Sequence, residues 1–561
     1  MRSWVRFASV APAAFLALFL VTSPVAELLR AGERGAAAAS VGRPAPIVVL
    51  VLDELPLSSL LGKDGQLDAA RYPGFAALAG ETTWYRNATT VSNSTWHALP
   101  SLLTGRYPTD TGPTAEDHPD SLFTLLDGYQ LDVDEAVTGL CPSERCTASR
   151  PSRVSSLRAL GSDASKVMRR RISLDGTEVD ATAEFVEEPE AEGGDDDGVG
   201  PGALRRNQPA RFTSFLDRLR PADRPTLHYL HLLVPHQPWR YLPSGRSYPH
   251  PTPDPGKLED RWPAEPWPAE LGRQRHLLQV QYVDGLVRAF VERLRETGLL
   301  DDAVLAVVSD HGVAFQPGQP VRGLVEGGLA PAVHPELMWV PFFLKLPGEG
   351  GGAVSDAGVE LVDLVPTVAD AVDAEVPWPV EGRSVLGPGR PPAAPKTFFQ
   401  AQLVPAGVRP GERVEVDATT SWPLVLERSV PEELRGTDPL APYRVGPQPE
   451  LVGQRVDALG TGRPSPVRAT VDRPGRLGQV ALASDSVPAL VTGRLLGPSR
   501  ARVVLALDGE VAAVVPTFGA DPSQPAFAAL LPEPLLQDGA NELDLYLMDG
   551  AGAPLQPLDS S

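Results

Sequence analysis

The chain has 561 residues, of which 42% are hydrophobic, and it contains 60 prolines, 52 glycines and 2 cysteines. This length allows two or more domains with large cores, and the composition is that of a folded protein. The net charge of −21 argues against nucleic acid as a partner and against a basic, membrane-hugging surface. We therefore expect an acidic, folded protein of more than one domain.

The N-terminus contains an uncharged, mostly apolar segment, residues 7–26, which follows Arg2 and Arg6. A helix of about 20 residues spans roughly 30 Å, the thickness of a bilayer core. A cleaved signal peptide is the alternative, but Pro24 fits poorly in a small-residue cleavage site. We favour an uncleaved signal-anchor, with residues 1–40 as cytoplasmic stub, membrane anchor and linker, and with the rest of the chain outside the cytoplasm. If the segment is cleaved, the protein is secreted.

Three apolar runs predict strands that are buried on both faces, as in a parallel sheet covered by helices. These runs are residues 47–52, 227–234 and 304–308. An amphipathic pattern over residues 279–297 predicts a helix between the second and third strands. Because strands alternate with helices, the sequence predicts a doubly wound α/β domain.

Each of these strands is followed by ionisable residues. Asp53 follows the first strand, His236 follows the second, and Asp310 and His311 follow the third. In open α/β sheets, the carboxyl ends of the strands form the edge at which ligands bind. A single aspartate after a strand is usually a turn residue or a helix cap, but three strand ends that all supply such groups predict a functional site.

A polar cluster at residues 92–95 runs into apolar residues at helical spacing, 98–103, and predicts a helix that Gly105 ends. Thr95 would then lie where a loop becomes a helix, and free N–H groups and the positive dipole end favour an anion there. Pro100 disfavours a long uniform helix, so we expect the regular part to begin only near it. The alternative is an ordinary capped helix with a buried leucine face.

Four residues together form a set of hard oxygen ligands with one imidazole: Asp53, Thr95, Asp310 and His311. Such a set suits one divalent cation, and the sequence does not choose among Mn²⁺, Mg²⁺, Zn²⁺ and Ca²⁺. Coordination lowers the pKa of a threonine hydroxyl enough to supply an alkoxide nucleophile for attack on a phosphoryl or sulfuryl group. His236 would bind a substrate oxygen or protonate the leaving group. Alternatively, it is simply hydrogen-bonded within a proline-rich loop.

The C-terminal part changes to short alternating segments, which predict a small all-β domain over residues 456–561. Within it, residues 503–507 and 511–515 flank Asp508-Gly509, a pattern that is typical of a hairpin. The preceding stretch, residues 391–455, is rich in proline and is predicted to be an irregular linker.

The predicted α/β domain, residues 41–390, contains a variable insertion at residues 141–210. Its most acidic part, residues 184–197, predicts a solvated segment rather than a site. Cys141 and Cys146 are separated by only four residues. In an exported protein this spacing predicts a structural disulfide, since too few other ligands lie nearby for a metal site.

Several short motifs resemble the sulfatase-like branch of the alkaline phosphatase superfamily, in the order found in that family. They are Val-Leu-Asp-Glu (51–54), Leu-Leu-Thr-Gly-Arg-Tyr-Pro (102–108), Pro-His-Gln-Pro-Trp (235–239), Ser-Asp-His-Gly (309–312), Val-Pro-Phe-Phe-Leu-Lys-Leu-Pro-Gly (340–348) and Asp-Leu-Val-Pro-Thr (363–367). The resemblance implies an alkaline-phosphatase-like, doubly wound, mostly parallel sheet. It also implies that Thr95 is the covalent nucleophile. The implied metal ligands are Asp53, Thr95, Asp310 and His311.

The residues around Thr95 resemble the transferases of this branch more than its sulfatases. Family sulfatases carry Cys or Ser there, inside a Cys/Ser-x-Pro-x-Arg signal whose first residue is oxidised to formylglycine. Residues 95–99 read Thr-Trp-His-Ala-Leu instead. The spacing from Thr95 to Pro100 resembles membrane-anchored phosphoethanolamine transferases, and lipoteichoic acid synthases also use a threonine and an Asp-His pair.

Four further residues are candidates for substrate binding. Glu54 occupies the second acidic place of the sulfatase Asp-Asp pair, and Arg322 and His334 lie in the loop where relatives place anion-binding residues. His97, two residues after Thr95, would face the pocket or simply pack.

The sequence thus predicts a metal-dependent enzyme that cleaves or transfers a phosphoester of a phospholipid head group or another cell-envelope substrate. Two alternatives stay open: a sulfuric ester hydrolase without formylglycine, and a catalytically silent protein that binds envelope polymers. The motif Asn93-Ser-Thr95 also matches a glycosylation sequon. Because it overlaps the nucleophile, we expect it to be unmodified.

Overall fold

The computed structural model describes residues 39–126, 128–146, 208–249, 254–258, 260–324, 329–404, 407–434, 438–497, 501–519, 521, 523–550 and 552–560. The predicted membrane segment, residues 7–26, and the acidic residues 184–197 lie outside this part of the chain. Within the described ranges, no helix combines the length and the apolar character needed to cross a bilayer.

A central sheet organises the N-terminal part. In chain order, the strands of this part are β1 (Ile47–Asp53), β2 (Thr83–Tyr85), β3 (Ala88–Thr89), β4 (Gln130–Asp134), β5 (Thr226–Pro235), β6 (Val304–Ser309), β7 (Phe342–Lys345), β8 (Ala353–Ser355) and β9 (Val359–Glu360). Seven of them form one sheet in the order β4-β5-β1-β6-β7-β2-β8, and β3 pairs with β9. The strands β4, β5, β1 and β6 are parallel neighbours, whereas β7 runs antiparallel to β6 and β2. The predicted α/β class with a mostly parallel sheet is confirmed.

Helices cover both faces of this sheet. In chain order they are α1 (Pro73–Glu81), α2 (Thr95–Thr104), α3 (Leu122–Leu125), α4 (Gln208–Arg218), α5 (Pro266–Thr297), α6 (Leu299–Asp302), α7 (His334–Met338), α8 (Leu364–Ala371), α9 (Ala418–Glu427) and α10 (Val456–Leu459). The even-numbered residues 48–52 of β1 pack in one core cluster with α5, and the odd-numbered residues 47–51 pack in another with α2 and α8. Burial on both faces explains why β1 is a continuous apolar run.

The helix predicted over residues 279–297 begins earlier, at Pro266, and continues for 32 residues. Its first half packs Trp267, Leu271 and Leu278 in the core of the C-terminal sheets. The second half of the helix packs against the core of the central sheet, and its apolar residues therefore form one regular stripe. The first half also packs against the C-terminal sheets, so its apolar residues do not continue that stripe.

Helix α2 begins at Thr95 and continues through Pro100, so the expectation that its regular part begins only near that proline is wrong. The proline ring removes one intrahelical hydrogen bond. This loss is outweighed because Leu99 and Leu102 are fully buried on the same helix. Gly105 ends the helix in the left-handed region, at φ +72°, as the sequence predicts.

The stretch predicted to be an irregular linker contains regular structure. Strands β10 (Lys396–Val404) and β11 (Gly407–Val416) form an antiparallel pair, and α9 follows them. The side chains of Phe398 and Val425 from this region are fully buried in the core that contains α5. The stretch is therefore packed on the α/β domain.

Two four-stranded sheets form the C-terminal part. Their strands are β12 (Arg468–Val471), β13 (Leu490–Leu496), β14 (Arg502–Leu507), β15 (Glu510–Pro516), β16 (Ala526–Leu530), β17 (Leu543–Met548), β18 (Gln556–Pro557) and β19 (Asp559–Ser560). The sheets have the orders β16-β13-β12-β19 and β15-β14-β17-β18 and share one core. Asp508 and Gly509 both have positive φ, as the predicted hairpin turn requires.

The predicted disulfide between Cys141 and Cys146 is present. Glu135, directly after β4, fixes the segment that leads into it, because its carboxylate accepts hydrogen bonds from the backbone N–H groups of Leu140 and Cys141. The cysteines therefore have the structural role that their spacing indicates.

Candidate active site

Three segments meet at the carboxyl ends of β1 and β6. Strand β1 ends in Asp53, β6 leads into Asp310 and His311, and α2 begins at Thr95. Ligand atoms of Asp53, Asp310 and His311 all lie within 4.8 Å of one another, and these three residues are buried. Thr95 Oγ1 lies 2.8 Å from Asp310 Oδ2 and 3.2 Å from His311 Nε2. The structure thus brings together the four residues predicted from the strand ends and the helix start.

Strand register explains why these residues meet. In the parallel pair of β1 and β6, Leu52 lies opposite Ser309, so the residue after each lies at the same sheet edge. The His311 backbone N–H donates to Asp310 Oδ1 at 2.7 Å, and His311 Nδ1 bonds the carbonyl of Gly312 at 2.9 Å. These two contacts orient the imidazole so that Nε2 faces the cluster. A side chain at position 312 would lie 1.9 Å from a backbone oxygen, so glycine is required there.

The electrostatics of this cluster fit a bound cation. Two carboxylates are buried together, and Asp53 Oδ1 has no hydrogen-bond partner in the described part of the chain. Burial, and then the neighbouring Asp53, raise the pKa of Asp310. Burial also acts to raise the pKa of Asp53, but nearby histidines outweigh it and hold that pKa below its usual range. Two carboxylates, an imidazole and a hydroxyl match the donors that divalent metals take in proteins.

A second polar group lies beside the first and contains Glu54, Arg322 and His236. Arg322 Nε lies 3.2 Å from Glu54 Oε1, and Arg322 Nη1 donates to His236 Nε2 at 3.1 Å. The Glu54 carboxylate is fully buried and also accepts from the backbone N–H of Gln237. Burial raises the pKa of Glu54 to about 7, although Arg322 acts to lower it. Glu54 therefore contacts the predicted anion-binding arginine rather than joining the Asp53 cluster.

Two residues hold the Arg322 backbone, and their role was not predicted from the sequence. Asp260 Oδ2 accepts the backbone N–H groups of Arg322, Gly323 and Leu324. Asn93 donates from Nδ2 to the Arg322 carbonyl at 2.7 Å, and its Oδ1 accepts the N–H of Ala401 in β10 at 2.7 Å. Asn93 thus links the segment before Thr95 to the Arg322 segment and to the β10–β11 pair. Its position two residues before Thr95 was the only sequence signal.

His97 and His334 contact other parts of the fold. Burial lowers the pKa of His97 to about 4, and the charged groups that act on it are Asp110 and His118. The His334 ring packs 5.7 Å from the Phe398 ring, centroid to centroid. Substrate binding by these two histidines stays a prediction.

His231 also lies at the site, and sequence reasoning missed it. It is fully buried in β5, and its Nε2 lies 3.4 Å from Asp53 Oδ2. Neither ring nitrogen has a hydrogen-bond partner among the described residues. The available signal was one of two histidines inside a mostly apolar strand, five residues before His236.

Comparison with known proteins finds a family match within the chain. Residues 182–374 match the family model described as sulfatase. This confirms the family that the motifs predict. The matched range of the sulfatase domain includes His236, Asp310, His311 and Arg322. Asp53 and Thr95 precede it, but β1 belongs to the same sheet as β5 and β6.

Two curated relatives align with parts of the chain. An extracellular sulfatase SULF-1 homolog from Drosophila melanogaster is 34% identical over 112 residues, which are 20% of this chain and 10% of the relative. A lipoteichoic acid synthase from Staphylococcus saprophyticus is 24% identical over 158 residues, which are 28% of this chain and 22% of the relative. The alignments therefore span less than a quarter of the length of either relative.

A solved structure also resembles the fold. The phosphonate monoester hydrolase from Silicibacter pomeroyi aligns with a TM-score of 0.40 and 19% sequence identity, over 64% of this chain and 79% of that chain.

Proposed function

We propose that this protein is a metal-dependent enzyme that cleaves or transfers a phosphoester through a covalent intermediate on Thr95. One observation carries the proposal: the Thr95 hydroxyl bonds Asp310 Oδ2 at 2.8 Å and lies 3.2 Å from His311 Nε2. A threonine that only capped its helix would direct its oxygen to N–H groups of the first turn. Here the hydroxyl is directed at the predicted metal ligands instead.

The metal would be held by Asp53, Asp310, His311 and Thr95. A bound divalent cation supplies positive charge that lowers the pKa of a hydroxyl and offsets negative charge on the substrate oxygens. Thr95 Oγ1 gives its proton to solvent and forms the bond to phosphorus. The bond from phosphorus to the ester oxygen breaks, and the leaving oxygen takes a proton from solvent. Helix α2 begins at Thr95, so the positive end of its dipole favours an anionic group at this position.

Arg322 and His236 have complementary roles in this proposal. The Arg322 guanidinium binds a non-bridging phosphoryl oxygen by a charge-assisted hydrogen bond. His236 Nδ1 bonds the carbonyl of Gln237, and Nε2 accepts from Arg322, which together assign a neutral ring with a lone pair on Nε2. In the second step, the incoming water or alcohol gives a proton to this nitrogen and its oxygen forms the bond to phosphorus. The bond from phosphorus to Thr95 breaks, and the proton on His236 passes through solvent to the Thr95 oxygen, which restores the hydroxyl.

We propose a phosphodiester of a phospholipid head group, or of another envelope component, as the substrate. The similarity to a lipoteichoic acid synthase supports this class. The residue at position 95 supports it as well, since threonine is not the cysteine or serine that formylglycine formation requires. The catalytic domain would lie outside the cytoplasm, anchored by residues 7–26. The Cys141–Cys146 disulfide supports that location, because such bonds persist in oxidising compartments.

Sulfate-ester hydrolysis is the second candidate. The local similarity to an extracellular sulfatase supports it. The two activities are separable, since the Thr95 mechanism without formylglycine predicts turnover of phosphodiesters only.

The test uses the full chain in detergent with Mn²⁺, bis(4-nitrophenyl) phosphate and 4-nitrophenyl sulfate. Thr95→Ala should lose phosphodiesterase turnover by several orders of magnitude, and Thr95→Ser should keep measurable turnover. Intact mass should show a 4-nitrophenylphosphoryl adduct that is absent from Thr95→Ala. Thr104→Ala is the matched control, because Thr104 lies in the same helix and its hydroxyl bonds only nearby backbone, donating to the Pro100 carbonyl and accepting the Arg106 N–H.

Three results would overturn the proposal. Full activity in Thr95→Ala would show that the hydroxyl is not the nucleophile. Robust turnover of the sulfate with none of the phosphodiester would favour the second candidate. Equal losses in Thr95→Ala and Thr104→Ala would indicate a general effect on α2.

A further inference from the structure

We propose that His231 is a positioning residue that fixes the Asp53 carboxylate for metal binding, an inference that rests on the proposed metal dependence. His231 lies in the centre of β5 and is fully buried. Its contact with Asp53, 3.4 Å from Nε2 to Oδ2, is on the oxygen that does not face His311. The other oxygen, Oδ1, lies 4.0 Å from His311 Nε2.

Strand register accounts for this contact. In the parallel pair of β1 and β5, His231 lies opposite Val51, so it shares a sheet face with Asp53 two residues further on. The register shifts between Leu52 and Asp53, which is paired with Pro235. The carboxylate thus lies between the two histidines His231 and His311, with one oxygen directed to each.

An imidazole at this position is costly unless it has a polar function. A buried polar group without a hydrogen bond destabilises the folded state, a cost that leucine would avoid. Among the described residues, the His231 ring has no other hydrogen-bond partner, and the polar group that it approaches is the Asp53 carboxylate, 3.4 Å from Nε2. A hydrogen bond from this nitrogen is therefore directed to Asp53. Metal-binding carboxylates are held by outer hydrogen-bond partners, and loss of such a partner typically lowers metal affinity.

Two other readings of His231 fit less well. It is not among the residues whose ligand atoms lie within 4.8 Å of one another, so it acts through Asp53 rather than as a member of the cluster. The second reading is a purely structural role. His228, on the same strand, has such a role, because its Nδ1 bonds Asp132 Oδ2 at 2.8 Å. His228 therefore offers a matched control on the same strand with an unrelated partner.

The experiment measures Mn²⁺ binding to the full chain by electron paramagnetic resonance, which reports free Mn²⁺ and needs no substrate. His231→Leu should weaken the affinity by about 10–100-fold. His231→Gln should retain most of it, because the Gln amide can donate to Asp53 at a similar reach. His228→Leu should bind Mn²⁺ like the wild type. Circular dichroism and Tm establish that each variant is folded.

The outcomes separate this inference from the proposed function. If the wild type binds no Mn²⁺, the proposed metal dependence fails and the role of His231 fails with it. If the wild type binds and folded His231→Leu binds equally well, only the positioning role is overturned. Equal losses in the Leu and Gln variants, or in His228→Leu, would also overturn it, because they indicate packing rather than orientation of Asp53.

Discussion

The backbone N–H of Glu54 donates a hydrogen bond to Asp310 Oδ1 at 3.1 Å. Glu54 has a left-handed backbone, at φ +64°, and its carboxylate contacts Arg322. The main chain of this residue therefore holds a predicted metal ligand, while its side chain belongs to the predicted anion-binding group. The two adjacent acidic residues, Asp53 and Glu54, thus face different parts of the site.

This division predicts different effects of two substitutions. Glu54→Gln keeps the backbone N–H and a side chain of the same size, so Mn²⁺ binding should stay stoichiometric. Asp53→Asn removes a charged ligand and should weaken Mn²⁺ binding by at least about 10-fold. Equilibrium dialysis of both variants checks this. If Glu54→Gln loses metal as fully as Asp53→Asn, then Glu54 is itself a ligand.

Arg322→Met should lower kcat/KM for the phosphodiester and leave metal binding unchanged. A hydrogen bond to a charged group contributes about 1.5–3 kcal/mol, so kcat/KM should fall by roughly 10–150-fold. Because Glu54 loses its partner, a lower Tm is also expected. Arg261→Met is the control, since Arg261 is exposed and bonds the Gly318 carbonyl. Unchanged kcat/KM in folded Arg322→Met would contradict the anion-binding role.

His276 should make the fold sensitive to acid. Burial lowers its pKa to about 3, while the unfolded chain binds the proton near pH 6.5. Between these values the unfolded state carries one more proton, so stability falls as the pH falls from about 6.5 toward 3. His276→Gln can still bond Ser59 but does not titrate. Relative to the wild type, its stability should rise by at most about 1.4 kcal/mol for each pH unit of acidification in this window.

The measurement for His276 is the Tm of both proteins from pH 7 to pH 4. The difference in Tm should shift in favour of His276→Gln as the pH falls. A constant difference across this range would show that the imidazole takes up its proton equally in the folded and unfolded states.

Residues 7–26 should keep the protein in the membrane. We expect the full chain to stay in membranes during carbonate extraction and to begin at its original N-terminus, whereas a chain that starts at residue 39 should be released. N-terminal sequencing of both fractions checks this. A soluble product that begins after Ala26 would identify a cleaved signal instead.

Much of the site was predictable because its residues directly follow buried strands. A strand covered on both faces is a continuous apolar run, so β1, β5 and β6 could be located, and with them Asp53, His236 and Asp310. Thr95 could be located because a polar cluster gives way to helical spacing there.

The residues that sequence reasoning missed depend on contacts between distant segments. Asp260 binds the backbone at residues 322–324, and Asn93 bonds the backbone of Ala401, more than 300 residues away. No local pattern reports such pairings. His231 was hidden for a different reason, since it lies within a strand whose apolar character was already sufficient to assign it.

Both the nitrogen and the oxygen of the Asn93 amide are hydrogen-bonded inside the fold. This arrangement affects the choice of expression host. A glycan at this sequon would have to be attached before folding, and it would then occupy the space where the Arg322 segment and β10 meet. The sequon cannot simply be removed, because its asparagine joins these segments and its threonine is the proposed nucleophile. Bacterial expression therefore suits this protein, because no eukaryotic glycosylation machinery then meets Asn93 before the chain has folded.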